Sequence, residues 1–174
     1  MIYVVLYQPE KPSNVGNIMR TCSATETKLI IIGPLTFKFD DKSLLRAGMD
    51  YIDELSFKYY ETYEEFKKDF KNKKIYYVTR YSTNVYSNND YSNVFEDIVF
   101  MFGKESSGIP HGILRENYNK TIRIPMVMSA RSLNLSNCVA VVVYEALRQR
   151  KFYSLATREE IKGEDFLFDE IKND

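Results

Sequence analysis

Histidine is nearly missing from this chain of 174 residues: His111 is the only one. A histidine-rich metal centre is thereby excluded, as is a Ser-His-Asp triad built anywhere else. Cysteine is almost as scarce. Cys22 and Cys138 lie far apart, and neither belongs to a CxxC, so neither a disulfide scaffold nor a cysteine-type zinc site is expected. An excess of charge is missing too, since 24 lysines and arginines face 24 aspartates and glutamates. That excludes a chain that coats nucleic acid through bulk positive charge, but it leaves a local basic patch open. No apolar run reaches the roughly 18 residues of a membrane span. The apolar start Met1-Ile2-Tyr3-Val4-Val5-Leu6 lacks the basic region and small-residue cleavage site of a leader and reads as a first strand. We expect a cytoplasmic protein with no membrane partner and no metal. No internal repeat of roughly 20–50 residues is present.

What is present suits one folded domain. Hydrophobic residues make up 44% of the chain and charged residues 28%, which excludes global disorder. Ile2 to Tyr7 is a strand-type run, broken by Gln8-Pro9-Glu10-Lys11-Pro12. Ser13 or Asn14 is placed to cap a helix that runs to about Thr25. Lys28 to Ile32 is a second strand, closed by Gly33-Pro34, and Asp40 or Asp41 can cap a short helix through Leu44, Leu45 and Ala47. Glu64 to Phe70 fits a helix and Lys74 to Thr79 a strand; the polar stretch from Arg80 to Asn93 reads as a loop. Ile98 to Phe102 is the most apolar strand. Pro110 can start a short helix to about Glu116, and Thr121 to Ile124 is a strand stopped by Pro125. Asn134 to Lys151 is the strongest helix, and its apolar positions are broad enough for cover on more than one side.

Strands thus alternate with helices, and the strands are apolar throughout. That pattern predicts an α/β fold with a mostly parallel sheet covered by helices on both faces. Ligands of such sheets sit at the carboxyl ends of the strands, which singles out three segments. Asn14-Val15-Gly16-Asn17-Ile18-Met19-Arg20 opens a helix, where free N–H groups and the dipole suit an anion; simple capping with a solvated arginine is the plainer alternative. Phe102-Gly103-Lys104-Glu105-Ser106-Ser107-Gly108-Ile109-Pro110 has the glycine spacing of a phosphate loop. Ile109 and Pro110 stand where Lys and Ser/Thr would be required, so binding of a nucleoside triphosphate is rejected. Arg131-Ser132-Leu133-Asn134-Leu135-Ser136-Asn137 carries more hydroxyls and amides than one helix cap needs, which suits a polar ligand. His111 reads as a loop residue. Tyr76 and Tyr77 read as strand packing. Tyr81, Tyr86 and Tyr91 sit in the polar loop, where base stacking and plain composition bias are both open.

Together these segments resemble one family. Asn14-x-Gly16-Asn17-x-x-Arg20, Phe102-Gly103-x-Glu105-x-x-Gly108-Ile109-Pro110, and Ile124-Pro125-Met126 with Arg131 to Asn137 look like the three motifs of the SpoU branch of the SPOUT methyltransferases. Leu6-Tyr7-x-Pro9-Glu10, Asp40-Asp41-Lys42, Arg46-Ala47-Gly48-x-Asp50-Tyr51 and Val143-Tyr144-Glu145-Ala146-x-Arg148-Gln149 are similar to the small bacterial enzymes that methylate the ribose 2'-oxygen of tRNA wobble nucleotide 34. The likeness runs from about residue 1 to 150. It departs from the pattern at Lys104 and Ser107, where proline and arginine are usual.

The resemblance implies a fold with a C-terminal trefoil knot, S-adenosylmethionine as methyl donor, tRNA as acceptor and a homodimer. It divides the chain into a methyltransferase domain over 1–151 and an acidic extension over 152–174. It implies Arg20, Asn14, Glu105 and Asn134 as catalytic residues, and a donor pocket at Val78, Thr79, Gly103, Ile124, Met126, Ser132 and Leu133. The resemblance assigns removal of the hydroxyl proton to Arg20. A guanidinium of pKa above ~12 is a poor base, so we read Arg20 as holding the target phosphate or hydroxyl, oriented by Asn14 and Glu105. Arg131, Arg148, Arg150 and Lys151 against Glu145 give an expected basic surface, which Arg20, Lys42 and Arg46 can join; Thr157 to Asp174 holds three basic and seven acidic residues and is expected to lie away from RNA. The same chemistry on another tRNA or rRNA site, or a non-catalytic RNA-binding module, are the alternative readings.

Overall fold

A computed structural model of the chain describes residues 1–38 and 57–169. Among those residues six strands form one sheet: β1 (Ile2–Tyr7), β2 (Lys28–Ile32), β3 (Lys58–Tyr60), β4 (Lys74–Val78), β5 (Ile98–Phe102) and β6 (Thr121–Ile122). The helices among the described residues are α1 (Pro12–Ala24), α2 (Tyr63–Asp69), α3 (His111–Glu116), α4 (Leu135–Gln149) and a single turn, α5 (Phe166–Asp169). The strand order is β3-β2-β1-β5-β4-β6, and every neighbouring pair is parallel. No helix among the described residues is long and apolar enough to cross a membrane.

Continuous apolarity in the strands has the expected cause, because successive side chains enter different cores. Val4, Leu6, Leu29, Ile31, Ile98, Phe100 and Phe102 meet Val15, Ile18 and Cys22 of α1 and Val139, Val142 and Val143 of α4. Val5, Ile30, Ile32, Val99 and Met101 point the other way, onto Phe66 of α2 and Leu114 of α3, joined by Tyr60, Tyr63 and Tyr77. Tyr76 and Tyr77 pack as strand residues, one in each core.

Several expectations need correction. β3 escaped notice because it is a three-residue edge strand beginning with an exposed lysine, too short for any period. α1 begins at Pro12, with Lys11 at the cap position and no side-chain cap, so neither Ser13 nor Asn14 caps it. β6 is two residues long; Arg123 beyond it instead bridges Val85. The stretch from Arg80 to Asn93 is not merely a surface loop. Tyr91 is fully buried, its ring set edge-on to Tyr76 and Phe100 and its hydroxyl donating to the Tyr86 carbonyl at 2.6 Å. The short helix expected through Leu44, Leu45 and Ala47 lies outside the described residues, as do Lys42 and Arg46.

That same stretch holds the end of α4. Gln149 donates to the Asn89 carbonyl at 3.1 Å and accepts from the Tyr91 N–H at 2.7 Å. Arg150, buried, donates from Nε to the Tyr91 carbonyl at 2.9 Å and from Nη2 to the Glu96 carbonyl at 2.8 Å. Burial pulls its guanidinium pKa down. Beyond it, Phe152 and Leu155 pack partly buried against the α1–α4 core. The amino end of the sheet is closed by charge: Asp97 accepts from the terminal ammonium at 2.9 Å and from Lys73, and Lys74 meets Glu96 at 3.3 Å.

Candidate active site

The carboxyl ends of β4, β5 and β6 open, with the first turns of α1 and α4, onto one cavity of about 580 Å³. That volume lies within the range of small-molecule sites. The sheet explains the convergence. In a parallel sheet every strand delivers its following loop to the same edge, so segments far apart in sequence meet there. Asn14, Glu105, Asn134, Val78, Thr79, Gly103, Ile124, Met126, Ser132 and Leu133 all line the cavity. Arg20 stands two turns into α1, exposed, and is outside the lining residues.

A polar chain ties the loops together. The Glu105 carboxylate accepts from the Glu10 N–H at 2.8 Å, the Lys11 N–H at 3.1 Å and Asn14 Nδ2 at 2.8 Å. Asn14 Oδ1 accepts from Asn134 Nδ2 at 2.9 Å. Asn134 Oδ1 then accepts from the N–H groups of Ser136 at 2.9 Å and Asn137 at 3.3 Å, capping α4. An ionised carboxylate only accepts, so Glu105 sets the polarity of both amides down the line. It also serves the N-terminus of α1, which has no cap of its own, at the positive end of the helix dipole.

The β5 loop is a closed ring of backbone. Lys104 and Gly108 exchange N–H to carbonyl bonds of 3.2 and 2.9 Å. A Cβ on Gly103 would sit 2.1 Å from the Gly108 carbonyl carbon, and Gly108 has φ +73, so glycine is required at both corners. Glu10 completes the link in return: its carboxylate accepts from the Ser106 N–H at 2.8 Å and hydroxyl at 2.7 Å. Those bonds hold its pKa below the usual carboxylate value. Sequence reasoning gave Glu10 no part in the site; its place straight after β1, opposite the Glu105 loop, was the available signal.

Electrostatics separate the cavity from the rest of a neutral chain. Lys11, Arg80, Lys104 and Arg131 line it, against Glu105 as the one acidic side chain among the described lining residues. The basic surface expected from sequence is rearranged accordingly. Of its members Arg131 reaches the cavity, Arg150 is buried as a latch, and Arg148 pairs with Glu145 at 2.8 Å, which lowers the Glu145 pKa. Arg80, Lys104 and Lys11 take their places, each in a loop that the strand ends bring together. Cys138 is half-buried in the wall, and burial raises its thiol pKa. His111 is the first residue of α3 and meets the Tyr81 ring edge-to-face, centroids 5.4 Å apart.

Comparison with known proteins follows the same lines. The profile of the SpoU rRNA Methylase family matches residues 1–144. A Listeria monocytogenes protein is 48% identical over 153 residues, 88% of this chain and 90% of its own; its name gives tRNA (cytidine(34)-2'-O)-methyltransferase as an inferred activity. An Escherichia coli K12 protein, named for that activity without qualification, is 42% identical over 150 residues, 86% of this chain and 94% of its own. A solved structure concerned with 2-OH methylation of C/U34 on tRNA superposes with a TM-score of 0.80 at 33% identity, covering 87% of this chain and 97% of that one. An AdoMet-bound rRNA methyltransferase from Sinorhizobium meliloti has a TM-score of 0.76 at 26% identity, over 84% of this chain and 56% of that one.

Proposed function

The chain belongs to the SpoU rRNA Methylase family, and from that premise we propose that it methylates the ribose 2'-oxygen of the wobble nucleotide, C34 or U34, in tRNA. SpoU methyltransferases use S-adenosylmethionine, whose sulfonium would supply a methyl group for in-line displacement by an alcohol oxygen, the C–S bond breaking to leave neutral S-adenosylhomocysteine and the hydroxyl proton passing to solvent. The observation that carries the reading is the Glu105–Asn14–Asn134 chain on the wall of a cavity rimmed by cations. A wall whose carboxylate is already engaged by three N–H donors suits the cationic donor, and the cationic rim suits the phosphates of an RNA that approaches it.

The residues present fit that donor. Gly103 leaves bare backbone where a side chain cannot stand, and Val78, Ile124, Met126 and Leu133 offer apolar surface for an adenine. Thr79 and Ser132 add hydroxyls beside them. Asn14, Glu105 and Asn134 keep the three loops in register, so that acceptor and donor align. Alignment alone is worth up to ~7–11 kcal/mol in well-oriented systems. Arg20 holds the target hydroxyl or its neighbouring phosphate through its planar fork.

The position of Arg20 favours action in a homodimer. It is exposed on α1, outside this chain's own cavity, while Val141 and Tyr144 form an exposed apolar strip on the neighbouring α4. A second copy on that strip brings the arginine to the partner's cleft. Gln149 and Arg150 tie the end of α4 to Asn89, Tyr91 and Glu96, a closure of loop on helix that the trefoil knot of the SPOUT fold would need. The acidic part of the extension is expected to be held off the RNA by like-charge repulsion from the phosphates.

Labelled S-adenosylmethionine with total tRNA tests the reaction. Label mapped to the 2'-oxygen of nucleotide 34 is expected; label at any other nucleotide overturns the assignment of site. Arg20→Lys should lose most turnover, because an ammonium lacks the fork. Mixing Arg20→Lys with Glu105→Gln subunits should restore part of the activity if the arginine serves its partner.

A further inference from the structure

The cavity mouth carries one aromatic ring that the reaction chemistry leaves without a role. Tyr81, three residues beyond the end of β4, lines the cavity yet is 59% exposed. Fully buried tyrosines of this chain serve its cores; this one does not. Its orientation is nevertheless set. His111 meets it edge-to-face, and the Arg80 guanidinium lies over the ring, 5.8 Å from its centroid. Arg80 is itself steadied, donating to the Arg131 carbonyl at 3.2 Å while its own carbonyl accepts from Arg123 at 2.9 Å. A large apolar ring held in a fixed attitude, in water, among cations, has the make-up of a platform for single-stranded nucleic acid. The base stacks on the ring while basic side chains follow the phosphates.

We propose that Tyr81 is a stacking platform for an unpaired nucleobase of the anticodon loop, flanking the reacting nucleotide, with Arg80 and Arg131 on the adjoining phosphates. This deepens the tRNA reading and rests on it. Every base has a π-face, so the contact adds affinity and registers the loop without choosing among tRNA species. His111 acts through Tyr81, as a positioning residue that holds the ring edge-on.

The experiment uses the full chain and a synthetic anticodon stem-loop at one fixed salt concentration, since phosphate contacts make affinity salt-dependent. Binding of the stem-loop is measured directly, beside methyl transfer and the donor's Kd. Tyr81→Ala should weaken stem-loop binding by about tenfold, the order of one lost base–aromatic stack, raise its KM likewise, and leave the donor's Kd within twofold. Tyr81→Phe should bind as the parent does. Stem-loops with an abasic residue at one loop position at a time should include one that loses the same factor with the parent protein and nothing more with Tyr81→Ala. Unchanged stem-loop binding by Tyr81→Ala overturns the proposal. So does a loss confined to the donor's Kd, which would assign the ring to the donor pocket. If the stem-loop binds through Tyr81 but gains no methyl at nucleotide 34, the platform stands and the wobble assignment falls.

Discussion

The two ends of the sheet solve the same problem by opposite means. Both must satisfy strand termini and loop backbones. The amino end does so with surface ion pairs, Asp97 taking the terminal ammonium and Lys73, and Glu96 taking Lys74. The carboxyl end uses a carboxylate–amide chain, Glu105 to Asn14 to Asn134, and leaves a cavity. Long flexible ion pairs hold a surface closed but position nothing finely, and each contributes little. Short side chains with fixed donor and acceptor ends cannot slide, so they hold loops in register around a space. On the proposed reading stability and catalysis fall to opposite edges, and variants at the two edges should separate them.

Gly103→Ala should have the largest effect. Its Cβ would be placed 2.1 Å from backbone that closes the same loop, so the ring must open. Donor affinity is expected to fall by ~100-fold or more as the backbone contacts are displaced, and overpacking should lower the thermal midpoint by a few degrees; calorimetry with S-adenosylmethionine reads the first and a melting curve the second. A variant that binds donor normally would show that the bare backbone is not the donor's wall.

Arg150→Leu should break the opposite edge next. The carbonyls of Tyr91 and Glu96 lose their donors inside the protein. A buried unsatisfied group costs ~1–3 kcal/mol; with the Tyr91 bond buried and the Glu96 bond part-buried, a loss of about 2–4 kcal/mol is expected, read by denaturant titration. Activity per folded molecule should hold. If it collapses instead, the division between the edges is wrong.

Glu105→Gln keeps the shape and removes the all-acceptor character. Three donors converge on that carboxylate, and the new amide must present an N–H to one of them. Turnover should drop about ten- to hundredfold, the scale of sub-ångström to 1 Å misplacement, with a fall of a few degrees in the midpoint from the weakened cap of α1. Steady-state kinetics with stem-loop RNA measures it.

Asp97→Asn sharpens the comparison from its weak side, at about 0.5–1 kcal/mol. Lys73 first, then the terminal ammonium, lowers the Asp97 pKa. The carboxylate's stabilisation is therefore present above the unfolded value of about 3.9 and is lost as pH falls from there through the lowered folded value. Between pH 5 and pH 3 the parent should lose more stability than Asp97→Asn. Equal losses would mean that these pairs add nothing.

Legibility in the sequence followed the range of the interactions. Ile98 to Phe102 announces a strand buried on both sides because all five positions are apolar, and Asn134 announces a helix start because its cap bonds reach only two and three residues onward. The likeness to SpoU motifs picked out ten cavity-lining residues at strand ends, loops and helix starts. β3 stayed hidden because an edge strand of three residues has no period to detect. Tyr91 stayed hidden because its polar surroundings read as solvent, when they fold over the end of α4.

From local pattern by itself the chain determined its alternation of strands and helices, the two-sided cover of its sheet and the glycine corners of the Glu105 loop, since periodicity and backbone sterics act over a few residues. Only the tertiary structure decided which arginine faces the cavity and which becomes a latch, that Glu105 caps a helix some 90 residues before it, and that Tyr81 is left in water. Those outcomes depend on which loops a parallel sheet brings to one edge, and no neighbour along the chain carries that information.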